Sequence, residues 1–292
     1  MTEYPPLPED LRQEIDSLAD DLDPLLTKRP RRPVPDHEDR RRLILAHHLG
    51  FNPPSNIKPI TCIGDSNTMF FAGAERLRFI RYRRTGLLKP HWINRGLDLL
   101  PTFRVFHVGP ATAWKAGDSG SSTRSKEKIE ILLRKDVPRG SKVILSFGEI
   151  DCRIHMAHQA KDGRNMESIT AATADKFIRL PEWVRSLGYL PLVWGPPQII
   201  PNDETVQDTT FPFVGPWELR RDITYSYSKH LQSRCSGSGI PYVSLAGLYH
   251  PRDEKPCKSF FHDGTHLSQR LMPLALRELA DVGFLPSHLA PR

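Results

Sequence analysis

The chain of 292 residues predicts an α/β fold, a three-layer α/β/α sandwich built on a parallel sheet. Three observations lead there. Five strand-sized apolar runs recur, at 58–63, 103–108, 142–147, 190–195 and 240–244, with gaps long enough for crossover connections. Helical spacing of apolar residues fills those gaps near 67–84, 124–135, 166–187, 216–234 and 267–282, the last closed by Gly283. Strand and helix therefore alternate, the pattern of a parallel sheet covered on both faces.

Ahead of this core, Leu11, Ile15, Leu18 and Leu22 recur at three- and four-residue spacing and predict a helix over 8–26. Pro30, Pro33 and Pro35 then rule out regular structure. A second helix is expected near 36–49, with Asp36 as its cap and Gly50 at its end. The chain thus divides into an N-terminal helical arm with a Pro/Arg-rich linker over 1–55 and one domain over 56–292. Within that domain two long loops, 110–123 and 196–216, follow strands and are expected to overhang the carboxyl edge of the sheet.

Composition sets bounds on function. An apolar content of 38% in a chain of this length is enough for one large core. No apolar stretch approaches the roughly 20 residues that span a bilayer, so no membrane span is expected. The opening Met1-Thr2-Glu3-Tyr4-Pro5-Pro6 has neither a basic leader nor an apolar core, and cytoplasmic residence is the default expectation. A formal charge of +7 conceals an acidic beginning, a basic linker and a basic stretch at Arg76, Arg78, Arg81, Arg83 and Arg84. Such a stretch reads first as a solvated face or a partner for the acidic arm. Zinc-finger spacing, RNP-like aromatics and Gly-rich RNA loops are all missing, so no nucleic acid is expected.

Two segments carry the chemistry. Ile60-Thr61-Cys62-Ile63 runs directly into Gly64-Asp65-Ser66, and Asp263-Gly264-Thr265-His266 stands near the other end. An apolar strand ending in a Gly-led turn presents a hydroxyl above the carboxyl edge of a parallel sheet, where open α/β sheets put their sites. An Asp three residues before a His can fix the imidazole tautomer while the far ring nitrogen takes the Ser proton. Ser66, Asp263 and His266 therefore supply nucleophile, orienter and base. Asp65 is read as stiffening its turn. His262 suggests a metal only if further ligands converge, and none is visible, so neither metal nor cofactor is expected.

Cys62, Cys152, Cys235 and Cys257 lie without CxxC spacing and are read as reduced thiols. Cys152, beside Arg153 and near His155, is the competing nucleophile and ranks below Ser66. Among the tryptophans, Trp114 and Trp217 fall in the overhanging loops, where they could stack on a sugar ring.

At these residues the chain resembles the SGNH hydrolases, or GDSL esterase/lipase family. Gly64-Asp65-Ser66, Gly109 after the strand Arg104-Val105-Phe106-His107-Val108, Gly148-Glu149-Ile150-Asp151 after the third strand, and Asp263-Gly264-Thr265-His266 stand where that family carries its four blocks. The resemblance covers roughly residues 56 to 284. It implies a flavodoxin-like parallel sheet of five strands in the order 2-1-3-4-5, with Ser66 as nucleophile, His266 as base and Asp263 as its partner. It also implies an oxyanion hole from the backbone amides of Ser66 and Gly109.

The third block departs from the pattern, because Ile150 stands where the family has its Asn donor. Arg153 and His155 are the nearest groups that could replace it or grip the substrate; alternatively Arg153 pairs with Glu149 or Asp151 to brace the loop. The activity implied is that of a serine-dependent ester hydrolase or O-acyltransferase working through an acyl-enzyme. Its expected substrate is a small-molecule or glycan ester, with a carbohydrate or glycoconjugate as favoured carrier. The alternative is a catalytically weakened SGNH-like module that binds a glycan or a protein partner. Oligomeric state is left open.

Overall fold

A computed structural model of the chain describes residues 58–73, 79–84, 92–96, 100, 102–198, 200–201, 211–248, 260–261 and 263–287. The helices expected over 8–26 and 36–49, and the arm and linker that contain them, lie outside the described residues. The strands are β1 (Ile60–Gly64), β2 (Phe79–Arg84), β3 (Trp92–Gly96), β4 (Phe103–His107), β5 (Lys142–Ser146), β6 (Leu190–Trp194) and β7 (Tyr242–Val243). They form one sheet in the order β2-β3-β4-β1-β5-β6-β7. The five expected strands are β4, β1, β5, β6 and β7. They are parallel and keep the expected order among themselves.

Among the described residues the sheet nevertheless has seven strands, because β2 and β3 add an antiparallel ribbon beside β4. This corrects the helix expected over 67–84. Among the described residues of that span, Ser66–Ala72 is helical, as a 3₁₀ turn that ends at Gly73 in the left-handed region, φ 75°, and 79–84 is strand. Beyond it, Phe79-Ile80-Arg81-Tyr82-Arg83-Arg84 is rich in aromatic, β-branched and alternating basic residues, a composition that suits an edge ribbon. The ribbon is fastened through Asp136, which accepts from the Tyr82 hydroxyl at 2.8 Å and from Arg83 at 2.8 Å.

The helices are α1 (Ala113–Ala116), α2 (Ser125–Lys135), α3 (Met156–Lys161), α4 (Met166–Phe177), α5 (Arg179–Ser186), α6 (Trp217–Gly237) and α7 (Met272–Asp281). The single helix expected over 166–187 is split between α4 and α5. Pro181 lacks an N–H, and it is accommodated in the first turn of α5, where no intrahelical donor is needed. Three helical pieces were not expected: α1 inside the loop over 110–123, a π turn over Asp151–His155, and α3, into which that turn leads.

Strand alternation divides the core in two. Cys62, Val105, Ile144 and Leu192 face one way, onto Phe70, Phe71 and α7 residues Leu276 and Leu279. Ile63, Phe106, Leu145 and Val193 face the other way, onto Ile129 and Leu132 of α2, Phe177 of α4 and Tyr227 of α6. With helices on both faces, the sandwich has its three layers.

In register, Gly64 pairs with His107 on one side and with Ser146 on the other, so β1, β4 and β5 end level. The turns that follow them therefore leave from one edge. Gly64 is required by close approach there: a Cβ at this position would sit 2.0 Å from the Ser146 carbonyl oxygen. No described helix is long and apolar enough to cross a membrane.

Candidate active site

The turn after β1 is held by Asp65. Its amide donates to the Ser146 carbonyl at 3.1 Å, and its carboxylate accepts from the Asn67 amide at 2.9 Å, capping the 3₁₀ turn. Asp65 is fully buried, and burial followed by the Glu149 carboxylate pushes its carboxyl well above the usual range. Asp65 thus has the structural role expected of it, while Ser66, the next residue, is partly exposed at the tip.

Two hundred positions along the chain, His266 meets this tip. Its Nε2 lies 2.8 Å from Ser66 Oγ and its Nδ1 lies 2.7 Å from Asp263 Oδ2. A carboxylate only accepts, so Nδ1 carries the proton and Nε2 is left to accept from the serine hydroxyl. The second Asp263 oxygen accepts from the His266 amide at 2.9 Å and from the Thr265 amide at 3.1 Å, which winds the four-residue segment into a tight turn. The His266 side chain is 14% exposed.

Packing and a further polar tie keep the two segments together. Leu267 and Leu271 share a core cluster with Phe70 and Phe71 of the serine-bearing turn. Buried Gln269 donates through Nε2 to the Phe70 carbonyl at 2.7 Å.

The turn after β4 carries Gly109, which lies at φ 107°, a conformation that favours glycine. Val108 N donates to the Gly64 carbonyl at 3.0 Å, and Ala111 N donates to the Gly109 carbonyl at 2.7 Å. Ser66 opens a helical turn, so no intrahelical carbonyl faces its amide. His107, just before the turn, is buried; burial, then the charges of Lys128 and His266, pull it down to about 4, and it is neutral at pH 7.

The third turn is built around buried charge. Ile150 is 5% exposed and offers no side-chain donor. Arg153 is 7% exposed and is not available over the site: its Nε meets Glu149 Oε1 at 2.5 Å, its Nη2 meets Oε2 at 3.1 Å, and its Nη1 donates to the Phe211 carbonyl. Its guanidinium also stacks on Phe213, whose ring lies against Arg220 as well. The reading of Arg153 as a substrate grip gives way to the loop brace, because all three nitrogens are committed. His155 is exposed and lines a cavity of about 510 Å³ together with Pro110, Thr112, Trp114, Gln159 and Arg164.

Asp151 was read from the sequence only as a possible partner for Arg153, a place that Glu149 takes. Asp151 accepts from the Ala113 amide at 2.6 Å and the Trp114 amide at 3.2 Å, which joins the third turn to the loop that follows Gly109. Burial pushes its carboxyl up to about 7, against the pull of those two amides. The signal that could have found this role was an acid standing directly after a buried strand and turn.

Cys62, Cys152 and Cys235 are free and buried, and Cys257 lies outside the described residues. Burial, then the Asp151 charge, pushes the Cys152 thiol well up, which disfavours the thiolate that nucleophilic attack would need. Trp114 is 40% exposed with the Lys176 ammonium 4.4 Å from its ring, whereas Trp217 is buried as packing. His262 lies outside the described residues.

No family model and no curated protein matches the chain. Among solved structures it is similar to Est24, a carbohydrate acetylesterase from Sinorhizobium meliloti, at 16% identity over 77% of this chain and 99% of that one, with a TM-score of 0.45. It is similar to the OSK domain of Drosophila Oskar at 14% identity over 79% and 94%, TM-score 0.43. It is similar also to the native aryl esterase of M. smegmatis at 17% identity over 77% and 98%, TM-score 0.43.

Proposed function

We propose that the chain is a serine-dependent enzyme of the SGNH type acting on acyl esters through an acyl-enzyme. One observation carries the reading: Asp263, His266 and Ser66 stand in series, at 2.7 Å and 2.8 Å, at the carboxyl edge of a parallel sheet. In this reading Ser66 Oγ attacks the ester carbonyl as His266 Nε2 takes its proton, and Asp263 stabilises the imidazolium. The carbonyl electron pair moves to oxygen, and the amides of Ser66 and Gly109 stabilise that charge. The bond to the leaving alcohol then breaks and His266 returns the proton to it.

Water releases the acid in a hydrolase; a hydroxyl takes the acyl group in a transferase, with the same residues. A carbohydrate carrier is supported by the cavity beside the Gly109 turn, where exposed Trp114 stands among Thr112, His155 and Gln159. Ile150 favours a second reading, a weakened module that only binds, because one oxyanion donor is missing.

Turnover of p-nitrophenyl acetate by the wild type beside Ser66→Ala and His266→Ala tests the proposal. Each variant is expected to lose about 10⁴-fold in kcat, and a fluorophosphonate is expected to label only chains that keep Ser66. Equal turnover by all three, with no adduct on Ser66, would leave the binding module standing.

A further inference from the structure

We infer that Lys128 is a positioning residue for the oxyanion site, its ammonium orienting and polarising the Val108–Gly109 peptide so that the Gly109 N–H becomes the stronger donor. The inference rests on the proposed ester chemistry. Lys128 lies on α2 and is 2% exposed, and its Nζ donates to the Val108 carbonyl at 2.6 Å. A Cβ on Gly109 would lie 3.5 Å from the same Nζ, so the ammonium rests against the turn itself. Among the described residues it forms no ion pair with a carboxylate, which leaves this carbonyl as its strong partner.

The carbonyl of Val108 and the N–H of Gly109 belong to one planar trans unit and point in opposite directions. A grip on the oxygen therefore sets where the N–H points. The grip is charge-assisted, so it is also strong, and it draws electron density along the amide, which raises the donor strength of the N–H by roughly 10–30% for such coupled bonds. The neighbouring bonds, Val108 N to Gly64 O and Ala111 N to Gly109 O, hold the two sides of the same turn. Burial pulls Lys128 down to about 8, which still leaves it charged at neutral pH. Ile150 explains why such a device matters here: with no side-chain donor from the third turn, more of the oxyanion stabilisation falls on the Gly109 amide.

The test is steady-state turnover of p-nitrophenyl acetate by Lys128→Met and Lys128→Arg, with Ser66→Ala as baseline and thermal unfolding of each chain alongside. Met keeps the length and removes a buried charge, so K128M is expected to fold. Its kcat and kcat/KM should fall together by about tenfold with KM within about twofold, the mark of an interaction made only in the transition state. K128R, which keeps a cation, should stay at least about threefold faster than K128M. A kcat for K128M within about twofold of wild type, or a loss confined to KM, would overturn the inference and leave the ester reading intact. So would K128R no faster than K128M when both unfold at the wild-type temperature. Wild-type turnover no higher than that of Ser66→Ala would overturn both. Should K128M not fold, the same comparison is made with Lys128→Gln, a neutral donor, whose kcat equal to wild type would equally refute a role for the charge.

Discussion

Replacing Asp151 by Asn and, separately, His107 by Gln should tilt the pH dependence of stability in opposite directions. Asp151 titrates at about 7 in the folded chain, against 3.8 as the ordinary value. Between those values the folded chain keeps a proton that the unfolded chain has released, so stability falls as pH rises. His107 titrates at about 4 when folded, against an ordinary 6.5. Between those values the unfolded chain holds the extra proton, so stability rises with pH. Each group contributes a slope of about 1.4 kcal/mol per pH unit, the value of 2.303RT for one proton.

In the wild type the two slopes oppose each other across the window they share. Asp151→Asn removes the falling slope, so its unfolding free energy relative to wild type should climb by about 2–3 kcal/mol between about pH 4.5 and about pH 6.5. His107→Gln should fall relative to wild type by a similar amount over the same range. Urea unfolding followed by circular dichroism at three pH values measures both, and taking differences from wild type cancels the titrations that all three chains share. A flat difference for Asp151→Asn, or two differences of the same sign, would refute the assignment of a buried protonated acid and a buried neutral imidazole.

Two further outcomes follow from contacts at the edge. Gln269→Leu leaves the Phe70 carbonyl without its 2.7 Å donor, and should cost about 1–3 kcal/mol in urea unfolding and about tenfold in kcat/KM as the Ser66 and His266 segments loosen. Gly64→Ala puts a methyl 2.0 Å from the Ser146 oxygen, so β1 and β5 must part; about 3 kcal/mol or more should be lost in thermal unfolding, well beyond an ordinary surface change.

The parallel core was legible because its strands are short, apolar and evenly spaced, and because β1 must lie between β4 and β5 for their ends to meet. That placement is what made Gly64-Asp65-Ser66 and Asp263-Gly264-Thr265-His266 informative together. The antiparallel ribbon was not legible, since Arg76 to Arg84 could be read as a continued helix when only charge was weighed and the alternation of aromatic and basic residues was not. Arg153 was ambiguous for a different reason: Glu149 four residues before it offers a pairing that the sequence permits without requiring. Lys128 left a trace, standing on the apolar stripe of α2 with Ser125, Ile129 and Leu132, where a lysine needs an internal acceptor. Which carbonyl supplies that acceptor depends on how α2 lies against the turn after β4, and no local pattern encodes it.

The division of the core by the sheet separates the candidate site into two mechanical halves. Ser66 and His266 ride on segments whose apolar anchors, Phe70, Phe71, Leu267 and Leu271, belong to one face. Gly109, Lys128 and Asp151 are framed by Val108, Ala113, Ile129 and Cys152, all on the opposite face. In the proposed mechanism, proton transfer and the Gly109 share of charge stabilisation would thus be referenced to different hydrophobic foundations, with β1 as the shared datum between them. A lineage that repacked one foundation would retune one half of the chemistry while leaving the alignment of the other undisturbed.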